Sequence, residues 1–125
     1  MVVKDQPFEL YQGNRRILVF GIVEEDGPGY LDLSGMTVTF AVARTNDEGV
    51  PLRNNPVIDL SSADVSTQVA ITDAANGAVR VTLDCPDTET LAAGSYYWEL
   101  EVHDDSCKVV VATGTMTLLT NVNNA

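Results

Sequence analysis

Few residues of this chain have the types and spacing needed for acid–base or nucleophilic chemistry. The chain has a single histidine, His103, which is followed directly by Asp104 and Asp105. A hydrolytic triad needs a nucleophile placed beside such a base, and no serine here lies in a nucleophile-elbow context. A transition-metal site needs more donors than this turn provides. We therefore interpret His103 as part of a surface turn.

Carboxylates are a second possible source of chemistry. Glu99 and Glu101 are two residues apart, so in a strand they project from one face and could in principle form a glycosidase pair. A solvated sheet face explains the same spacing, and we prefer that interpretation. Four loop carboxylates could hold calcium, but they lack the spacing of an EF-hand loop. They are Asp26, Asp32, Asp104 and Asp105. The sequence thus predicts no catalytic residue, no metal and no other cofactor, and we expect that the protein is not an enzyme.

Tyr97 is better suited to binding than to catalysis. An aromatic side chain on the outer face of a sheet often marks a contact with a protein or a sugar. Glu99 and Glu101 share that face, so the three residues form our candidate contact surface. For Tyr11 and Tyr30 we expect packing in the core or at its rim under a loop.

Net charge restricts the partners. Among the 125 residues there are 18 acidic and 7 basic side chains, which gives a formal charge of −11. Such a surface repels a phosphate backbone and an anionic membrane, so we expect neither nucleic acid nor membrane as partner. No window approaches the roughly 20 apolar residues of a membrane-spanning helix, and the N-terminus lacks the apolar stretch of a secretory signal. The length predicts one domain over residues 1–125.

The two cysteines, Cys85 and Cys107, are too few for a disulfide framework and too far apart in sequence for a metal or redox motif. We expect unpaired, partly buried thiols.

Alternation of apolar and polar residues predicts β-strands along most of the chain. It is clearest in MTVTFAVA (36–43), AVRVTLD (78–84) and YYWELEVH (96–103). The side chains expected to face the core are Met36, Val38, Phe40, Val42, Val79, Val81, Leu83, Tyr96, Trp98, Leu100 and Val102. Turn signals recur every ~8–12 residues, which predicts an all-β, immunoglobulin-like antiparallel sandwich of about seven or eight strands. Trp98 would be its buried aromatic residue.

Other segments predict local features. Asn76 and Gly77 favour a β-hairpin turn, and residues 86–93 favour one short helical turn that begins at a proline. After its two arginines, RRILVFGIV is more continuously apolar than the other strands, which fits either a central strand buried on both sides or one flanked by an aggregation-sensitive edge. Within the long loop of residues 46–66 we expect a short edge strand over residues 57–60. Gly114 is interpreted as a β-bulge or a close-packing site in the last strand.

The order of these segments resembles the immunoglobulin-like module of tailed-phage structural proteins. The segments DLSGMTVTF (32–40) and LAAGSYYWELEV (91–102) are similar to strands in the N-terminal domain of phage baseplate upper proteins. The resemblance extends from Gln12 to Leu119 except for the loop of residues 46–66. Its motifs are turns and core residues, so no functional residue is carried over.

The resemblance implies a non-enzymatic virion component, assembled in the host cytoplasm, that docks on a capsid, neck, tail or baseplate. The partners would be other virion structural proteins, with self-association as a homo-oligomer also open. Because the sequence stops at NVNNA soon after the last predicted strand, we expect a free-standing module, which favours capsid decoration or the neck over the baseplate. The alternative is a carbohydrate-binding or adhesin module on the particle surface, with Tyr97 stacking on a sugar.

Overall fold

The computed structural model describes residues 7–24, 29–64 and 67–120. These residues form eight strands, one 3-10 turn and one short helix. The elements are β1 (Phe8–Tyr11), β2 (Arg16–Gly21), β3 (Thr37–Ala43), β4 (Ile58–Ser61), β5 (Val69–Asp73), the 3-10 turn (Ala74–Asn76), β6 (Ala78–Leu83), α1 (Cys85–Thr88), β7 (Gly94–His103) and β8 (Lys108–Leu119). Within the described ranges, no helix is both long and apolar enough to cross a bilayer.

The strands form two sheets, which confirms the predicted all-β sandwich. The larger sheet has five strands in the order β1-β8-β7-β3-β4, and the smaller has three in the order β2-β6-β5. All pairings are antiparallel except that of β1 with β8, which is parallel. The parallel β1 is an addition to the predicted antiparallel pattern.

The core lies between the sheets and is built from the predicted inward faces. Alternate residues of β3, β6 and β7 are fully or almost fully buried, because each strand turns every second side chain toward the facing sheet. Trp98, only 1 % exposed, stacks on Phe40 with ring centroids 5.6 Å apart. Met36 differs from the prediction, since it lies just before β3 and is partly buried at the margin of the core.

The helical turn is shorter than predicted. Instead of residues 86–93, the helix covers only Cys85–Thr88. A capping box between Asp84 and Asp87 fixes its start, and the buried Thr88 hydroxyl accepts a hydrogen bond from the Gly13 N–H. Gly94 begins β7 and does not terminate the helix.

The hairpin around Gly77 and the edge strand in the long loop are confirmed. β5 and β6 are antiparallel neighbours joined through the 3-10 turn, and β4 (Ile58–Ser61) lies at one edge of the five-stranded sheet. Residues 65 and 66 of the long loop lie outside the described residues.

The bulge in β8 is at a different residue from the one predicted. The register with β7 shifts between Leu100 and Glu101, where Val111 is the extra residue. Gly114 is buried directly across from Trp98, a position that favours the close-packing interpretation over the bulge.

β2 is an edge strand with only β6 beside it among the described strands. The interpretation as a central strand buried on both sides is therefore wrong. The inward side chains Leu18 and Phe20 pack on the core, while Ile17 and Val19 are 54 % and 77 % exposed. The continuous apolar run thus reflects one buried face and one apolar, solvent-facing face.

Candidate functional site

The candidate contact surface lies on the outer face of the five-stranded sheet. Tyr97, Glu99 and Glu101 alternate along β7 with the buried residues, so all three point away from the core. Across the ladder, Tyr97 faces Ala43 and Glu99 faces Ala41. These small neighbours leave space above β3 that a side chain from elsewhere fills.

That side chain belongs to Arg53, in the loop between β3 and β4. Its Nη2 donates a hydrogen bond of 3.2 Å to the Tyr97 hydroxyl, and its Nε lies 3.4 Å from Glu99 Oε2. The Tyr97 hydroxyl in turn donates to the same Oε2 at 2.7 Å. The guanidinium carbon also lies 5.4 Å from the Tyr97 ring centroid, within cation–π range. Arg53, Tyr97 and Glu99 form one polar cluster, which we call the Tyr97 cluster.

Two pKa values are raised within the Tyr97 cluster, for different reasons. Desolvation raises the pKa of Tyr97 above its usual value of 10.0, and the hydrogen bond to Glu99 adds to this rise. The hydrogen bond to Tyr97, assisted by Glu99, raises the pKa of Arg53. The phenol is therefore neutral and the guanidinium charged at neutral pH. The arrangement suits a polar contact and gives no proton-transfer group poised near pH 7.

Glu101 does not join the Tyr97 cluster. Its Oε1 lies 3.8 Å from His103 Nδ1, which is beyond hydrogen-bond distance. His103 Nδ1 is buried and has no hydrogen-bond partner. The structure thus divides the three predicted residues into a linked pair, Tyr97 and Glu99, and a separate Glu101 beside His103.

Sequence reasoning did not identify Arg53 as part of the contact surface. It lies 44 residues before Tyr97, in a loop whose path the alternation pattern does not encode. The sequence contains only an indirect signal. A strand face with acidic and aromatic side chains attracts a basic side chain, and this chain has few basic residues to supply it.

The cavity at the Tyr97 cluster has a small volume. A depression of about 20 Å³ is lined by Ala41, Ala43, Arg53, Pro56, Tyr97 and Glu99, enough for about one water molecule.

A larger apolar cleft of about 200 Å³ opens at the end of the sandwich where β7 turns into β8. The residues that line it include Val102, His103, Cys107, Val109 and Val111.

The loop carboxylates stabilise turns. Asp104 accepts hydrogen bonds from the N–H groups of Ser106 and Cys107, which lower the pKa of its carboxyl group. Asp32 accepts one from the Ser34 N–H, and hydrogen bonding to Ser34 likewise lowers its pKa. Asp26 lies outside the described residues. In the described part of the chain, no three His, Cys, Asp or Glu residues are grouped so as to hold a metal ion.

The cysteines are more exposed than predicted. Both thiols are free and exposed, because Cys85 begins α1 and Cys107 lies in the turn before β8. These places lie at opposite ends of the sandwich, separated by the length of β7. A disulfide requires Cα atoms within about 7 Å, so this fold excludes one between these two residues of one chain. Tyr11 and Tyr30 are likewise half exposed and not in the core.

Comparison with solved structures shows where this fold occurs. The chain is similar to the N-terminal domain of phage TP901-1 ORF48, with a TM-score of 0.52 and 14 % sequence identity. The match covers 94 % of this chain and 84 % of that domain. No family model and no curated protein matches the sequence. At this identity the likeness shows the fold alone: the chain has a β-sandwich also found in a phage protein.

Proposed function

We propose that this chain is a non-enzymatic structural module of a tailed-phage virion, which docks on a capsid, neck or tail/baseplate assembly. The observation that carries the proposal is the similarity of fold, over 94 % of the chain, to a domain of a phage protein. The partners are other structural proteins of the particle, and the place of action is the virion.

The order of strands supports an immunoglobulin-like module. In the variable-type immunoglobulin sandwich, strands B, E and D share one sheet, and strands G, F, C and C′ lie in the other. With β1 to β8 taken in the order A, B, C, C′, D, E, F and G, β8-β7-β3-β4 corresponds to the larger sheet of that fold, and β2-β6-β5 to the smaller. A module of this kind offers strand edges and end loops for attachment, and strand pairing supplies main-chain hydrogen bonds while side chains give specificity.

The geometry around the polar residues supports a role without catalysis. The Tyr97 cluster is closed by its own hydrogen bonds and surrounds a depression of only about 20 Å³. His103 faces Glu101 at 3.8 Å and, with Cys107, is among the residues of a cleft whose lining is mostly apolar. Neither place combines a nucleophile, a base and a substrate-sized polar pocket.

The proposal is tested on purified particles of the phage that encodes the chain. Particles are banded on a density gradient, washed in high salt, and analysed by quantitative mass spectrometry against the major capsid protein. We expect a fixed stoichiometry that survives the wash, and cryo-electron microscopy of the same particles to place the module on head, neck or tail. Absence from washed virions would contradict the proposal.

The carbohydrate-binding alternative receives less support from the geometry. A sugar-stacking tyrosine needs an open ring face, whereas the guanidinium of Arg53 lies over the ring of Tyr97. Binding on a glycan array that is lost in Tyr97→Ala and retained in Tyr11→Ala would restore this alternative.

A further inference from the structure

In the described part of the chain, the edge of the three-stranded sheet formed by β2 has no further strand beside it and carries exposed apolar side chains. Ile17 and Val19 project from the outer face of β2, and the half-exposed Tyr30 ring lies next to Gly21. A carbon placed at the Cβ position of Gly21 would lie 3.4 Å from that ring. We call this strand, with Ile17, Val19 and Tyr30, the β2 edge.

Backbone polar groups of β2 also point toward the open side. The N–H of Ile22 donates to the Gly77 carbonyl, in the same register that pairs β2 with β6. Successive residues of a strand direct their N–H and C=O groups to opposite edges. The groups of Ile17, Val19 and Gly21 therefore point away from β6 and are positioned to pair with a further strand.

Among the described strands, the other edges carry features that discourage pairing. β4 is preceded by Pro56 and presents Asp59, and β5 has a bulge between Ile71 and Asp73. β1 has only four residues. By contrast, β2 contains six residues without a proline or a bulge. The first residue of β2, Arg16, places its guanidinium over the Phe8 ring of β1, 5.8 Å from the ring centroid. An edge strand with exposed apolar side chains and with neither a proline nor a bulge is a template for association.

Charge favours a second copy, in antiparallel orientation, as the occupant. The chain carries −11 overall, yet Arg15 and Arg16 lie at the start of β2, with Arg15 Nε also 2.9 Å from Asp84 Oδ1 of its own chain. An acidic residue, Glu24, follows the other end. Antiparallel pairing brings Arg15 and Arg16 of one copy toward Glu24 of the other, whereas parallel pairing would bring like charges together.

We propose that two copies of this chain pair through antiparallel β2 strands, with the two-fold axis at Val19. The outward groups of Val19 then pair with those of the second Val19, and Ile17 faces Gly21 of the other copy. Because Gly21 has no side chain, Ile17 packs beside the neighbouring Tyr30 ring. The two three-stranded sheets join into one continuous sheet of six strands. This pairing is independent of whether the protein is a virion component.

Cross-linking tests the register. In an antiparallel hydrogen-bonded pair the opposed Cα atoms are about 5.5 Å apart, within the about 4.4–6.8 Å that a disulfide spans. Val19→Cys, in a Cys85→Ser and Cys107→Ser background, is expected to give a disulfide-linked dimer under mild oxidation. The matched control is Val50→Cys, since Val50 is also exposed but lies in a loop. Equal cross-linking of the two variants would overturn the proposed register.

Solution mass tests the association itself. Sedimentation velocity of the wild-type protein should give twice the 13.4 kDa of one chain. Because Val19→Lys places two like charges across the axis, it should raise the dimer dissociation constant at least about tenfold. Val50→Lys should leave that constant unchanged, and circular dichroism should show the same fold in all three proteins. A wild-type protein that stays monomeric at its highest soluble concentration, or a dimer that Val19→Lys does not weaken, would overturn the proposal.

Discussion

At the scale of single residues, Trp98 connects strands from both sheets. Its indole lies 6.1, 5.7 and 5.6 Å, centroid to centroid, from the rings of Phe8, Phe20 and Phe40, which belong to β1, β2 and β3. Truncation to alanine leaves a cavity that these rings cannot fill. We expect Trp98→Ala to lower the free energy of unfolding by roughly 3–5 kcal/mol. Urea titration measures the loss, and a midpoint close to that of the wild type would contradict this role.

The control for that experiment is Tyr11→Ala. Tyr11 is also aromatic but half exposed, so its truncation should change the free energy of unfolding by no more than about 0.5 kcal/mol. Comparable losses in the two variants would show that ring removal in general, and not burial against the three phenylalanines, determines the stability.

Tyr97 provides a pH-dependent test at the same scale. Its pKa in the folded state is raised above 10.0, so the folded protein favours the neutral phenol. The resulting stabilisation is present below the unfolded-state pKa and is lost as the pH rises through the folded-state value. We expect the alkaline decrease in unfolding free energy to be smaller in Tyr97→Phe than in the wild type. Tyrosine ionisation can also be followed by absorbance. We expect Tyr97→Phe to remove the part of the tyrosinate absorbance that appears at the highest pH. Loss of absorbance that appears at lower pH instead would contradict the raised pKa of Tyr97.

At the scale of elements, the β5–β6 hairpin depends on Gly77. Gly77 has φ +65°, and a Cβ there would collide with the Ile22 carbonyl oxygen and approach that of Leu31. Gly49 has φ +80° but open space around the same position. Both alanine variants bear the left-handed backbone penalty, and only Gly77→Ala adds a collision with main-chain atoms. We expect Gly77→Ala to be more destabilising than Gly49→Ala by about 1–3 kcal/mol in urea titrations. An equal decrease in unfolding free energy in the two variants would mean that the hairpin moves away from Ile22 and so avoids the collision.

The elements also show which features periodicity can predict. The inward faces of β3, β6 and β7 follow from alternation because each of these strands has one face against the facing sheet. β1 was missed because four residues are too few to display a period, and its parallel partner β8 is far away in sequence. For β2, an apolar run alone does not distinguish burial on both faces from an apolar face left open to solvent.

The candidate site was predictable to a similar extent. Alternation placed Tyr97, Glu99 and Glu101 on one face, but it could not show that Glu99 is linked to Tyr97 while Glu101 lies beside His103. Arg53 reaches the cluster through the conformation of a loop, which depends on turn geometry and tertiary contacts. Exposure of Cys85 and Cys107 depends in the same way on the ends of α1 and β8.

At the scale of the whole molecule, the parallel pairing of β1 with β8 brings the first and last strands that the structure describes close together. Phe8 is in register with Met116, and Tyr11 with Leu119. Phe8 is therefore only three residues along the strand axis from Leu119, or about 10 Å, and one strand spacing of about 4.8 Å to the side. A short glycine–serine linker would span that gap. The sandwich is accordingly suited to circular permutation, and to insertion as a cassette into a surface loop of another protein.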